Sequence, residues 1–486
     1  MPAGIGAGTV ARPGVAGARA LTDPGRALTV PKSARLLSLP TAWPLTGMLV
    51  LYPLWWALGL GTLIFFIMAV PMAVWLVRRG RANAAAASPG LRRPSFTAGI
   101  ALPPAFGLWL AFCAVVVISL LALELDPAGT IPGGLVGRLP GAMFKVAGYA
   151  AVTICLLYAG NLTERELSRR RLAKMLAWLF AVTVAGGLLG ILAGHFEFTS
   201  PLEMLLPPKV AKDGFVKSLV HPSAAQVMDF LGYETPRPAA PWGYTNTWGN
   251  NLGILAPFAI VAAWAWPTGR MVRLGAAALL LVALVPAIYS MNRGLWLNLG
   301  VAGAFVAVRL LLAGRLWILG AGAALLLTGG ILLAATPLGG VVQQRLDNGH
   351  SDDGRGYSTE QAVEGVSGSP VIGYGSTRKT IGSGASIAVG ATEECPRCGG
   401  RVIGGNGQLW QALYAHGIAG AVCYVGFFLV VLWRFRHDRS PLGLAASTAM
   451  LLSLTSMFYY NALVTPLALT MLAYALLWRN KRETHS

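Results

Sequence analysis

Charge is scarce in this sequence: 12% of its 486 residues are Asp, Glu, Lys or Arg, against roughly 25% in a soluble domain. That shortage excludes an ordinary water-soluble fold. Acidic residues are scarcer still, 19 against 38 basic ones, and histidine occurs six times. No apolar core precedes residue 43, so a cleavable signal peptide is not expected, and the first helix serves as an uncleaved signal. No internal repeat emerges. Of the five cysteines, Cys113, Cys155 and Cys423 fall in apolar stretches, while Cys395 and Cys398 form a Cys-Pro-Arg-Cys pair in a polar one. What is abundant is apolar surface, 55% of the chain, with 60 glycines. Apolar stretches beyond the ~18 residues that a bilayer core demands recur from residue 43 to residue 478.

The expected fold is therefore an all-α polytopic membrane protein of about twelve transmembrane helices. They are placed at 43–59, 60–77, 99–123, 140–160, 172–194, 248–266, 271–290, 294–312, 315–335, 408–433, 442–460 and 463–479. Pro44, Pro53 and Pro71 interrupt the first pair, for which one re-entrant hairpin is the alternative. Segments retained in the cytoplasm are rich in Lys and Arg. With twelve crossings, the inner segments hold 25 of the 38 basic residues but only 5 of the 19 acidic ones. The net charge of +19 is then a matter of topology, and no nucleic-acid partner is needed. Residues 1–42 read as a disordered basic cytoplasmic arm facing lipid, residues 43–479 as the transmembrane domain, and residues 480–486 as a cytoplasmic tail.

Two extracytoplasmic loops, 195–247 and 336–407, are too long to be mere connections, so the chemistry is expected on that face. The first carries His195, Glu197, Glu203, His221 and Asp229 before Pro236-Arg237-Pro238, and the second carries Arg345, His350, Asp352, Asp353, Arg355, Glu360 and Glu364. An exported Cys395–Cys398 pair most simply forms a local disulfide; a half zinc knuckle lacks a second ligand pair. Glu124 with Asp126, and Asp352 with Asp353, imitate metal-binding acidic pairs but read as solvated turns, and no metal is assigned. Glu164-Arg165-Glu166 with Arg169 to Arg171 reads as a topology anchor. Most tryptophans anchor helix ends at the membrane interface, whereas Trp242, Trp248 and Trp410 border the outer loops and can also stack on sugar rings. In Tyr289-Ser290-Met291-Asn292-Arg293-Gly294-Leu295-Trp296-Leu297 an arginine stands at the outer mouth of an apolar helix. It is either a snorkelling anchor or a clamp for a pyrophosphate.

Asn292-Arg293-Gly294-Leu295-Trp296-Leu297 resembles the Ser-Arg-Gly-x-Trp-Leu segment of the O-antigen ligase and polymerase superfamily of bacterial envelope glycan enzymes. Asp353-Gly354-Arg355 and Ser369-Pro370-Val371-Ile372-Gly373-Tyr374-Gly375 are similar to that family's Arg followed by Pro-Leu-x-Gly-x-Gly. Asn406-Gly407-Gln408-Leu409-Trp410-Gln411-Ala412-Leu413, closing in His416-Gly417-Ile418-Ala419-Gly420, resembles its loop-to-helix segment. Arg237 ahead of Gly243-Tyr244-Thr245-Asn246 and Asn250 is loosely similar to its approach to a helix. These matches span about residues 230 to 435, in the family's order.

The resemblance implies a GT-C-type glycosyltransferase in the bacterial cytoplasmic membrane, with both termini cytoplasmic. Its partners would be a polyprenyl diphosphate-linked saccharide donor and a glycan or lipid-glycan acceptor, with no cofactor and no metal. Arg237, Arg293 and Arg355 would hold the diphosphate, with Trp242, Asn406 and Trp410 toward sugar or acceptor. One position departs: many family ligases have a histidine just before the asparagine matching Asn406, and here it is Gly405. His350, His221, Glu393 and Glu394 are the replacement candidates for a general base, while His416 reads as a packed helix residue. The competing class is a lipid-linked oligosaccharide flippase or secondary transporter, which shares the twelve-helix layout.

Overall fold

A computed structural model describes residues 40–87, 99–229, 234–335, 337–347, 350–379 and 402–483. Proline decides its first turn of architecture. Pro44 starts α1 (Trp43–Val50) and Pro53 starts a separate α2 (Tyr52–Ala57), since a proline fits a helix's opening turn but not its interior. Laid end to end, the two would reach only about 22 Å, short of a bilayer core of about 30 Å. The expected first crossing is thus a broken pair, whereas α3 (Leu63–Ala87) runs unbroken through Pro71.

The chain continues with α4 (Phe106–Ile118) and its 3-10 extension Ser119–Ala122, then α5 (Leu135–Asn161) and α6 (Arg169–Leu192). Ser168 caps α6 by accepting from the Arg171 amide. The first long loop is structured, with α7 (Pro201–Leu205), α8 (Pro208–Ala211) and α9 (Gly214–Val220) leading to an antiparallel pair. In that pair, β1 (Ala225–Asp229) meets β2 (Glu234–Pro238) with Gln226 opposite Arg237. Four helices follow: α10 (Thr245–Trp264), α11 (Arg270–Tyr289), α12 (Arg293–Leu311) and α13 (Trp317–Ala335). The second long loop holds α14 (Pro337–Asp347), α15 (His350–Gly365) and a two-residue ladder, β3 (Arg378–Lys379) with β4 (Val402–Ile403). Last come α16 (Gln408–Arg434), α17 (Pro441–Ser456) and α18 (Thr465–Glu483).

Among the described residues, α3, α5, α6, α11, α12 and α16 are long and apolar enough to cross a membrane, and the protein is an all-α membrane protein to that extent. Shorter apolar helices lie at Phe106–Ala122, Trp317–Ile331 and Pro441–Ser456. The core is built around α18, which packs on α5, α10 and α17 and is fully buried from Leu467 to Leu477. A second seam joins α6 to α10, and a third joins α4 to α16 through stacked rings, with Trp109 lying 5.2 Å from Phe427. By contrast, α11 to α13 keep large apolar side chains outside, such as Leu281 and Leu327, each about two-thirds exposed. Lipid is the solvent that suits such a surface.

One end of the bundle is closed by ion pairs. Arg479 donates to Glu164 at 2.8 Å and to the Leu167 carbonyl at 2.6 Å, and Arg79 pairs with Glu166 at 3.0 Å. Asn480 reaches Asp438 at 2.8 Å. The basic segment 164–171 thus joins the start of α6 to α3 and α18. Residues 1–39 of the expected arm and 484–486 of the expected tail lie outside the described residues.

The α6–α10 seam is made close by Gly187: a Cβ there would stand 2.5 Å from the Trp248 ring and 2.8 Å from Pro286. Gly187→Val should therefore lower the thermal midpoint in detergent, with overpacking costing about 1–3 kcal/mol. Gly300→Val, where a Cβ meets nothing within 4 Å, should leave the midpoint near wild type. Equal midpoints for the two variants would refute tight seam packing.

Candidate functional site

At the end of the bundle opposite the ion pairs, the first turns of α5, α10, α16 and α18 converge with α9 and the 376–379 segment around a cavity of about 870 Å³. Its wall carries four cations, Arg138, Lys145, Arg378 and Lys379, and no Asp or Glu among the described residues. Amides are supplied by Gln226, Asn246, Asn406, Gln411 and Asn461, and aromatic rings by Trp242, Tyr244, Tyr459 and Tyr460. Converging helix N-termini add positive potential to the same space.

Two of the cations are held by backbone. The carbonyls of Leu123 and Leu125, left free where α4 and its 3-10 turn end, accept from Arg138 at 2.8 and 3.2 Å and from Arg378 at 3.1 and 3.2 Å. Orphan carbonyls at a helix end are natural partners for guanidinium. Arg378 also donates to Tyr374, Ser376 and Thr377, leaving only its Nε without a partner. Burial, and then the neighbouring Arg138, pulls the Arg378 guanidinium down to about 10, so it stays charged at neutral pH. Asp126 is not a bare solvated turn: it accepts from Arg138, and that bond holds its carboxyl below the usual range.

The segment that delivers Arg378 is docked on a broken helix. At Gly417 α16 leaves helical geometry, with φ 67° and ψ −173°, a region open in practice to glycine alone. The Ile418 amide then bonds the Pro370 carbonyl at 2.8 Å, while the Tyr374 and Gly375 amides bond the Tyr414 and Ala415 carbonyls at 3.1 and 2.7 Å. Gly373 and Gly375 also take positive φ, 64° and 74°. Two stretches noticed separately in the sequence, Ser369–Gly375 and His416–Gly420, are therefore two halves of one interlock. His416, beside the break, is buried and bonded through Nδ1 to Ser119 Oγ at 2.9 Å.

Arg237 and Arg293 lie at a different turn. Asn292 caps α12 by accepting from the Leu295 amide and from the Tyr460 hydroxyl. Arg237, buried on β2, donates from Nε to the Ser290 carbonyl at 2.7 Å, and Arg345 to the Met291 carbonyl at 3.2 Å. Arg293 is half-buried at the first residue of α12. Neither Arg237 nor Arg293 belongs to the cavity wall, which Tyr460 joins to this turn.

Of the other expected site residues, Trp242 and Asn406 line the cavity. Trp242 also bonds Thr183 at 3.0 Å and stacks 4.3 Å from Tyr52. Trp410 does not line it, and its indole donates to the Phe458 carbonyl at 2.8 Å. His221 sits away from the wall, between Glu203 at 2.7 Å and Glu197 at 3.5 Å. His350 and Arg355 fall on α15, with side chains outside the described set, and Glu393, Glu394, Cys395 and Cys398 lie outside the described residues. Cys113, Cys155 and Cys423 are free thiols, and no metal-sized group of His, Cys, Asp and Glu forms among the described residues. The wall cations were missed in the sequence, although Lys145 stands inside an apolar stretch, the pattern that marks an intramembrane functional site. Compared with known proteins, the chain matches no protein-family model and no curated sequence.

Two outcomes follow. Gly417→Ala places a side chain against the Val371 backbone at a positive φ; it should cost about 1–3 kcal/mol and speed hydrogen exchange at the Tyr374 and Gly375 amides, and unchanged exchange would disprove the interlock. Because the Asp126 carboxyl is depressed in the folded state, its contribution is present above the ordinary Asp range and is lost as pH falls through the folded value. Asp126→Asn should therefore lower the thermal midpoint at pH 7, with the gap to wild type closing toward pH 3.

Proposed function

We propose that this chain is a membrane glycosyltransferase of the O-antigen ligase or polymerase type. It would move a saccharide from a polyprenyl diphosphate-linked donor to a glycan or lipid-glycan acceptor. In this reading the chain crosses the bacterial cytoplasmic membrane about twelve times in a GT-C-type arrangement, with both termini cytoplasmic and the cavity on the outer face. The observation that carries it is the cavity wall: four cations, no carboxylate among the described residues, and a lining of amides and aromatic rings. Cations suit a diphosphate, while amides and flat apolar faces suit the hydroxyls and ring faces of sugars. The motif resemblance supports the same reading independently of the cavity.

The chemistry is a single displacement. An acceptor oxygen forms a bond to the anomeric carbon as the bond from that carbon to the diphosphate oxygen breaks, and the electron pair leaves on the diphosphate. Charge develops there, so fixed cations lower the barrier at that point, and holding both substrates in one cavity supplies orientation. Arg293 and Arg355, which the resemblance assigns to the diphosphate, would act beside the wall cations; Arg293 stands outside the wall, at the turn that Tyr460 joins to it. Arg237 acts through the Ser290 carbonyl, fixing the turn that presents Arg293. The acceptor proton passes to a base drawn from His350, Glu393 and Glu394, since His221 is paired with Glu203 away from the wall, and Trp242 and Asn406 in the wall serve the sugar or acceptor. No metal or cofactor enters the scheme.

A second reading, a lipid-linked oligosaccharide flippase or secondary transporter, is favoured by the break of α16 at Gly417, because interrupted helices are common in transporters. Product analysis separates the two. Purified protein given a synthetic polyprenyl diphosphate saccharide and acceptors, with chelator present, should yield transferred saccharide of inverted anomeric configuration. Arg293→Ala should slow that transfer by about 10²-fold. Movement of unaltered donor across proteoliposomes, with no transfer, would establish the transporter reading instead.

A further inference from the structure

The four wall cations are not equivalent. Arg138 spends Nη1 on the Leu123 and Leu125 carbonyls and Nη2 on Asp126 and the Ile131 carbonyl. Arg378 spends both terminal nitrogens on carbonyls and on the Ser376 hydroxyl. These guanidiniums face the protein and lend the cavity their charge more than their hydrogen bonds. Lys379 is exposed at the rim. Lys145 differs: it is half-buried in the wall and has no hydrogen-bond or ion-pair partner among the described residues. Its ionisable neighbours among the described residues, Arg378 and His416, carry no negative charge to balance it.

An ammonium taken partly out of water without a counter-charge is unfavourable unless a ligand brings one. The approach to Lys145 is also built. Gly137 and Gly141 precede it by eight and four residues, so all three share one face of α5. Both glycines line the cavity, and a Cβ on either would meet nothing within 4 Å. Phe144 and Phe215, also in the wall, flank this trough with rings 5.3 Å apart at 90°.

We infer that Lys145 is the wall cation that bonds anionic oxygens in this cavity, beside the motif arginines, and that the ligand is a lipid-borne diphosphate entering along the Gly137–Gly141 face of α5. This inference rests on the transferase reading and names the residue that receives the diphosphate of its donor. Three hydrogens on a compact ammonium can turn toward phosphate oxygens as the ligand arrives, whereas the two guanidiniums would first have to give up bonds to backbone. An apolar trough with phenyl rings at its side accommodates the isoprenoid chain next to the charged end.

The experiment uses the full chain in detergent, with binding read by calorimetry for farnesyl diphosphate, inorganic pyrophosphate and farnesol. Lys145→Gln should weaken farnesyl diphosphate by at least about tenfold, the scale of one charge-assisted hydrogen bond, while Lys145→Arg should stay within a few-fold. Gly141→Leu should weaken farnesyl diphosphate but leave inorganic pyrophosphate nearly unchanged. The unliganded Gln variant should melt at or above wild type, since an unbalanced charge has been removed; a lower midpoint with unchanged affinity would assign Lys145 a structural role. Wild-type affinity in Lys145→Gln overturns this inference and leaves the transferase reading standing. No diphosphate binding by the wild type removes both. Should the Gln variant fail to fold, Gly141→Leu decides, because unaltered farnesyl diphosphate affinity there overturns the trough. Equal competition by phosphatidylglycerol vesicles overturns the diphosphate assignment in favour of an ordinary anionic headgroup.

Discussion

The site end of this protein depends on satisfying the backbone of one broken helix. In apolar surroundings an unwound turn must find hydrogen bonds within the protein, and α16 unwinds at Gly417. The 370–375 segment supplies those bonds. Its path is thereby fixed, and three residues later it delivers Arg378 onto the Leu123 and Leu125 carbonyls. The same carbonyls seize Arg138 near the start of α5. One glycine conformation is thus transmitted through a docked loop and two guanidiniums to the helix that carries Lys145.

The two ends of the bundle use charge in opposite ways. At one end Glu164 and Glu166 are neutralised by Arg479 and Arg79, and Asp438 accepts from the Asn480 amide, so that helix ends are tied together. At the other end Asp126 is the one acidic residue among the described residues that touches a wall cation, and it does so from outside the cavity. Exposed pairs contribute little stability, but Arg479 is almost fully buried and bonded on several sides. The closed end therefore behaves as a fixed base, and the net positive charge of the cavity remains available to a ligand.

Much of the fold was legible because membrane helices announce themselves by length and apolarity. The stretch read as 172–194 is α6 at Arg169–Leu192, and that read as 408–433 is α16 at Gln408–Arg434. The first expected crossing failed as one helix because Pro53 restarts it, and the break inside α16 was hidden because, His416 apart, the residues around Gly417 are those of an ordinary apolar helix. Structure within the loops was not legible either. The β1–β2 pair that carries Arg237 is short and polar, and its function is to bring Arg237 to a carbonyl distant in sequence. Site legibility was uneven for a related reason. Motif reading drew attention to arginines in loops, whereas Arg138 and Lys145 belong to a helix start whose neighbours, at 376–379 and 459–465, come from far along the chain.

The packing below the cavity bears on what the cavity is for. A ligand passing along α18 would have to part it from α5, α10 and α17, yet its side chains are enclosed along eleven consecutive residues, from Leu467 to Leu477. Two polar pairs in that region are bonded, Asn251 to Thr465 at 3.3 Å and Ser453 to Thr470 at 2.5 Å. Opening such a path would strand those groups in apolar surroundings. A reaction confined to one end needs no such separation. In the proposed transfer the donor's isoprenoid chain would stay in lipid or along the α5 trough, its charged and sugar parts would occupy the cationic cavity, and the enclosed α18 would serve as the floor. That economy is the physical ground for preferring transfer at one membrane face over passage across it.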